Sequence, residues 1–134
     1  LSEKASDSIT ARLAERENKV DLIAGVNLQD VDNEVASILL DLNRRETKNS
    51  SSLFAESYVN IVRKNGHRLL RRPHRHAGFA VLKSTDIPSV LIELGFLSNV
   101  NDVKLLTKKK TRLRLLISLA EAIELFANKR RNFN

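Results

Sequence analysis

The chain has 134 residues, 42% of them apolar and 29% charged, with two Pro, four Gly and no Cys. That composition fits one globular domain and excludes a low-complexity linker, a disulfide framework and any thiolate nucleophile or metal ligand. No run approaches the roughly 18 uncharged apolar residues of a membrane span, and the opening LSEKASD has neither the basic nor the hydrophobic region of a targeting signal.

The formal net charge of +7 is unevenly distributed. Residues 1–42 carry four basic and nine acidic side chains, whereas residues 44–83 carry ten basic and two acidic. A second basic cluster, Lys104, Lys108, Lys109, Lys110, Arg112 and Arg114, has no intervening carboxylate. Such clusters suit nucleic acid, an anionic lipid surface or a polyanionic wall, and their plainer meaning is a solvated helix face. With one Tyr, five Phe and no Trp, the chain offers little for base stacking, so no nucleic-acid partner is expected.

In chain order, Ala5, Ile9, Leu13 and Val20 recur at helical spacing and predict a helix over about 6–21, with Ser2 as a partial cap. Gly25 and Asn27 interrupt it, and Val31, Val35, Ile38, Leu39 and Leu42 form a second apolar stripe. Asn49 and the serines 50–52 read as a loop or as the cap of a third helix, in which Leu53, Phe54, Tyr58, Ile61 and Val62 share one face before Gly66 ends it. After Pro73 the pattern changes: residues 79–82 and 89–92 are short apolar runs bounded by Gly78, Pro88 and Gly95, as expected of two buried strands. Ser98 or Asn99 can cap a helix near Asp102, and Leu113, Leu116, Ile117, Ala120, Ile123 and Ala127 predict a closing amphipathic helix. Strands between helices predict an α/β fold. Two strands alone lack hydrogen-bonded neighbours, so the chain is expected to be the C-terminal part of a larger α/β domain whose first strands precede Leu1.

Glu93 ends the apolar run SVLIE and precedes Leu94, Gly95 and Phe96. A carboxylate closing a buried strand is costly unless it meets a metal, a cation or a proton, and ligand sites of open α/β sheets gather at strand C-termini. Glu93 is therefore a catalytic candidate. A Glu that reaches solvent, or pairs with a nearby Lys or Arg, is the plainer alternative.

Residues 77–106, AGFAVLKSTDIPSVLIELGFLSNVNDVKLL, closely resemble the C-terminal signature of the zinc-dependent N-acetylmuramoyl-L-alanine amidases of the bacterial cell-division type. Upstream, LAERENKVDLIAGV at 13–26 and SILLDLNRRET at 37–47 are similar to the helical insert of those enzymes, while TKKKTRLRLL after Leu106 departs from their usual sequence. The resemblance implies the C-terminal part of a mixed-sheet, helix-flanked zinc amidase domain. Residues 6–65 would supply the regulatory insert and a helix, and 77–128 the last strands and closing helices. It further implies a periplasmic peptidoglycan hydrolase that cleaves the amide between N-acetylmuramic acid and L-alanine with zinc-activated water. Glu93 matches the family's catalytic carboxylate. The family's zinc ligands would fall before Leu1, leaving the site incomplete in this chain. In division amidases an insert helix lends a Glu to the metal until an activator protein displaces it; Glu17 is the best match for that inhibitory ligand, Glu15 the next. From the residues alone both are ordinary carboxylates of an amphipathic helix, and the Val35–Leu42 stripe is either core or the activator's docking face.

His74 and His76, at i and i+2, would share one face of a strand, an arrangement that can hold a metal. They lie at the opposite end of the strand pair from Glu93, and related sequences have loop residues there, so surface or wall-binding roles are expected for them and for His67. The competing function is a non-catalytic remnant that binds cell wall or a partner through its basic surface.

Overall fold

The structure, a computed structural model, describes residues 5–23, 34–84 and 86–131. The helices are α1 (Ser8–Ile23), α2 (Glu34–Lys64), α3 (Val100–Thr107) and α4 (Lys109–Arg131), with one 3-10 turn at Ala80–Leu82. The chain divides into two compact units. The first comprises Leu1–Ser52 and His74–Val90, the second Leu53–Pro73 and Leu91–Asn134, so α2 contributes to both.

In the first unit Asp7 starts α1. Its Oδ1 accepts the Thr10 backbone N–H at 2.9 Å and the Thr10 hydroxyl at 2.8 Å, satisfying donors that the first helical turn leaves open. Those two bonds, and then the Arg75 guanidinium 3.4 Å away, hold the Asp7 carboxyl below its ordinary value. One face of α1 meets the segment after Pro73: Ala14, Ala77 and Phe79 are buried together, with Ala5, Leu13 and Leu82 packed around them. Polar side chains complete the seam. Asn18 Nδ2 donates to the Gly78 carbonyl at 2.8 Å, and Asn18 Oδ1 accepts the Ala80 N–H at 2.6 Å. Ser6 exchanges backbone and hydroxyl bonds with His76.

In the second unit Gly66, at φ +73°, ends α2, with the His67 N–H on the Val62 carbonyl and the Gly66 N–H on that of Arg63. This pairing needs a left-handed residue and satisfies the last-turn acceptors, as the sequence predicts for Gly66. Asn99 caps α3 by accepting from the N–H groups of Asn101 and Asp102. Ser118 and Ala122 on α4 are fully enclosed, Ile61 and Val62 of α2 are buried, and Phe54 meets Phe126 edge to face at 5.4 Å.

The expected α/β sheet is not present: no strand occurs among the described residues. Residues 79–82 fold into the 3-10 turn and its approach, and 89–92 form an irregular segment. Apolar content marked these runs as buried strands, but a strand exists only where a neighbouring backbone accepts its ladder bonds. Here Ser6 and Asn18 take backbone groups of His76, Gly78 and Ala80 instead. The serines at 50–52 likewise form neither loop nor cap; they lie inside one continuous α2. Ser51 explains how. Its hydroxyl donates to the Thr47 carbonyl one turn back and accepts the Ser89 N–H at 2.9 Å, so the group that competes with a helix is occupied.

The apolar stripes are largely turned outward. Ile38, Leu39 and Leu42 on α2 are exposed, as are Leu113, Leu116, Ile117 and Ile123 on α4, whose buried face carries Ser118 and Ala122 instead. Val20 and Val35 lie outside the residues whose side chains are described, and Ser2, Gly25, Asn27 and Val31 outside the described residues altogether.

Candidate functional site

Glu93 belongs to the second unit, on the irregular segment 91–96 that leads into α3. Its side chain is exposed. Sequence reasoning placed this carboxylate at the end of a buried strand; the described residues form no ladder on either side of it, and it is exposed instead.

The backbone beside Glu93 is nonetheless fixed. The Phe96 N–H donates to Asp102 Oδ2 at 3.0 Å, and the Asn99 N–H donates to the Phe96 carbonyl at 3.0 Å. A Cβ on Gly95 would lie 3.1 Å from Asp102 Cβ and 3.2 Å from Leu106 Cδ1, so the glycine lets the chain approach α3 closely. Glu93 thus projects from a turn whose far side is held by Asp102, a residue the sequence reading used only to place a helix.

Glu17 belongs to the first unit, half-buried on α1 one residue before Asn18. Asn18 ties this turn of α1 to Gly78 and Ala80 and so sets where Glu17 stands. Nothing in the pattern ERENKV distinguishes Asn18 from a surface residue. Asp7 was missed, the sequence reading having named Ser2 as the partial cap, although Asp ahead of a helical stripe is a preferred cap. Glu15 is exposed on the same helix.

His74 and His76 have ring centroids 4.6 Å apart in the first unit, so the i, i+2 spacing does place two imidazoles side by side. His67 lies in the second unit. There it lines a cavity of about 340 Å³ with Asn65, Arg114, Ile117, Ser118 and Glu121. Asn65 Nδ2 donates to Ser118 Oγ at 2.9 Å and to Glu121 Oε2 at 3.2 Å, Arg114 donates to the Asn65 carbonyl at 2.8 Å, and His67 Nε2 is 3.4 Å from Ser118 Oγ. This cluster staples the C-terminal end of α2 to α4. Among the described residues no three His, Cys, Asp or Glu side chains are grouped to hold a metal ion, so these residues do not by themselves fit a zinc centre. No described helix is long and apolar enough to cross a membrane.

Comparison with known proteins identifies the source of the motif. Residues 9–125 match the family model described as N-acetylmuramoyl-L-alanine amidase. The chain is 36% identical over 125 residues to the N-acetylmuramoyl-L-alanine amidase AmiA of Escherichia coli, an alignment covering 92% of this chain and 43% of that protein. It is 30% identical over 129 residues to AmiC of Neisseria meningitidis, covering 96% of this chain and 30% of the relative. It is also 30% identical over 132 residues to the probable amidase AmiB of Haemophilus influenzae, with the same shares of 96% and 30%. The chain therefore spans less than half the length of these curated relatives. A match running through α1, α2 and the Glu93 turn to α4 shows that the chain belongs to the N-acetylmuramoyl-L-alanine amidase family.

Proposed function

We propose that this chain is the C-terminal portion of a periplasmic, cell-division type peptidoglycan hydrolase that cleaves the amide between N-acetylmuramic acid and L-alanine. The observation that carries the proposal is the family match across residues 9–125, which includes SVLIELGF at 89–96. Glu93 is the catalytic carboxylate of the reading. Exposed on a turn fixed by Gly95 and Asp102, it is open to a substrate.

Zinc enters only through the family resemblance. The described residues lack a three-ligand group, so in this proposal the ligands belong to the part of the domain outside this chain, and no chemical step is derived through the metal. Residues 6–65 form the regulatory insert and 77–128 the closing part of the catalytic domain. Glu17 is the insert's inhibitory carboxylate. The exposed Ile38, Leu39 and Leu42 offer an apolar face on which an activator protein would dock.

The second reading is a non-catalytic remnant that binds wall or partner through its basic surface. The test is made on the complete protein that contains this chain, incubated with purified muropeptides. A hydrolase releases peptides with a new L-alanine amino terminus, and Glu17→Ala raises its basal rate. A protein that binds peptidoglycan yet releases no peptide supports the remnant; an unchanged basal rate in Glu17→Ala removes the inhibitory role.

A further inference from the structure

We propose that Asp102 is a positioning residue of the hydrolysis: by holding the backbone of Phe96 against the start of α3, it sets the direction in which Glu93 meets the substrate. The inference rests on the reading of Glu93 as the catalytic carboxylate and adds the residue that aims it.

Residues 91–96 belong to no helix, and no strand occurs among the described residues, so Glu93 is not fixed by regular backbone bonding of its own segment. An acid–base group works when it is held within about 0.5 Å and 10–20° of its productive geometry, and a misplacement of about 1 Å can cost a hundredfold in rate. On an irregular segment that precision has to come from contacts with another element. Phe96, three residues after Glu93, receives them at both of its backbone polar groups. Its N–H donates to Asp102 Oδ2 at 3.0 Å, and its carbonyl accepts the Asn99 N–H at 3.0 Å. Beside it Gly95 approaches so closely that a Cβ would lie 3.1 Å from Asp102 Cβ. The other half of this clamp is itself tied to the helix. Asn99 Oδ1 accepts the N–H groups of Asn101 at 2.9 Å and Asp102 at 3.3 Å, and the Asn99 carbonyl accepts the Val103 N–H at 3.0 Å.

The simpler role for Asp102 is service to α3. It is the third residue of that helix, and an acidic side chain in the first turn suits the partial positive charge there. In a capping box, a side chain at this position returns to the backbone N–H of the capping residue. Here the Asn99 N–H is already taken by the Phe96 carbonyl, and the Asp102 carboxylate reaches three residues further back. Its bond to Phe96 satisfies none of the helix's own open donors; Asn99 serves two of those. What the bond secures is the segment that carries Glu93.

In the complete protein, D102A, D102N and E93Q are compared with wild type for peptide release from muropeptides, with melting temperature and zinc content measured alongside. D102A should lower kcat about tenfold to a hundredfold and leave KM nearly unchanged. D102N should recover most of that rate, because its amide oxygen can accept the same N–H. A role through charge on the α3 dipole predicts otherwise, since Asn lacks the charge as fully as Ala does. The double variant E93Q/D102A should be no slower than E93Q, because a residue that acts only by aiming Glu93 then has nothing to aim. G95A reaches the same turn without altering the carboxylate: its Cβ presses on Asp102, and kcat should fall in the same way even if D102A does not fold. Wild-type kcat in folded D102A or in G95A, D102N no faster than D102A, or losses that multiply in the double variant would overturn the proposal and leave the reading of Glu93 standing. Wild-type hydrolysis by E93Q would overturn both.

Discussion

The two units solve different problems with similar residues. The first carries nine basic and eleven acidic side chains and joins an irregular segment to helices; the second carries fourteen basic and five acidic and packs helix on helix. In the first, the apolar cluster among the described residues is Ala14 with Ala77 and Phe79, and side chains of Ser6, Asn18 and Ser51 hold backbone groups that no ladder takes. In the second, small residues at Ser118 and Ala122 let α4 approach its neighbours, and capping residues at Asn99 and Gly66 define the helix ends. The contrast is one of hydrogen bonding: a helix carries most of its own bonds, whereas an apolar run without a ladder takes them from side chains.

That contrast can be broken from either side. Phe79→Ala removes the only large side chain of the first unit's buried cluster and should cost about 3 kcal/mol there. Hydrogen exchange should then accelerate across α1 and residues 76–82, while the amides of α4 keep their protection. Ala122→Leu should do the opposite. One side-chain carbon becomes four at a fully enclosed position, and the overpacking should cost about 1–3 kcal/mol. Its exchange signature should appear in α4 and the last turns of α2 and leave α1 unchanged. A uniform acceleration from either variant would mean that the units do not unfold separately.

Helix ends were the most legible part of the sequence, because a cap is a local bargain among a few consecutive residues. Gly66 ends α2 where the sequence places it, and of the two caps offered for α3, Ser98 and Asn99, the structure uses Asn99. The strands were misread because apolar content reports burial and not ladder partners; the same letters at 79–82 make a 3-10 turn once Asn18 holds Ala80. The serines at 50–52 were misread because Ser51 meets its stabilising partner, Ser89, 38 residues away. At the candidate site the position of Glu93 before a tight glycine was legible, and its exposure was not, since exposure depends on what stands beside it.

The smallest expected effect sharpens the comparison through pH. Asp7 is held below its ordinary value of 3.8, first by the Thr10 N–H and then by the Thr10 hydroxyl, with Arg75 adding to them. A lowered folded-state value means that the cap's contribution is fully present above pH 3.8 and is lost as pH falls through the lower folded value. Acid titration should therefore loosen the start of α1 before the second unit responds. Asp7→Asn, which keeps a capping oxygen, should abolish that early phase.

The account turns on Glu93 more than on any other residue. In the complete protein, Glu93→Gln keeps the side chain's size and removes its charge and basicity. With zinc content and fold unchanged, peptide release from muropeptides should fall by about 10²–10⁴, the usual contribution of a general acid–base group. Hydrolysis at the wild-type rate would contradict the central claim and leave Glu93 as a surface residue beside a well-held turn.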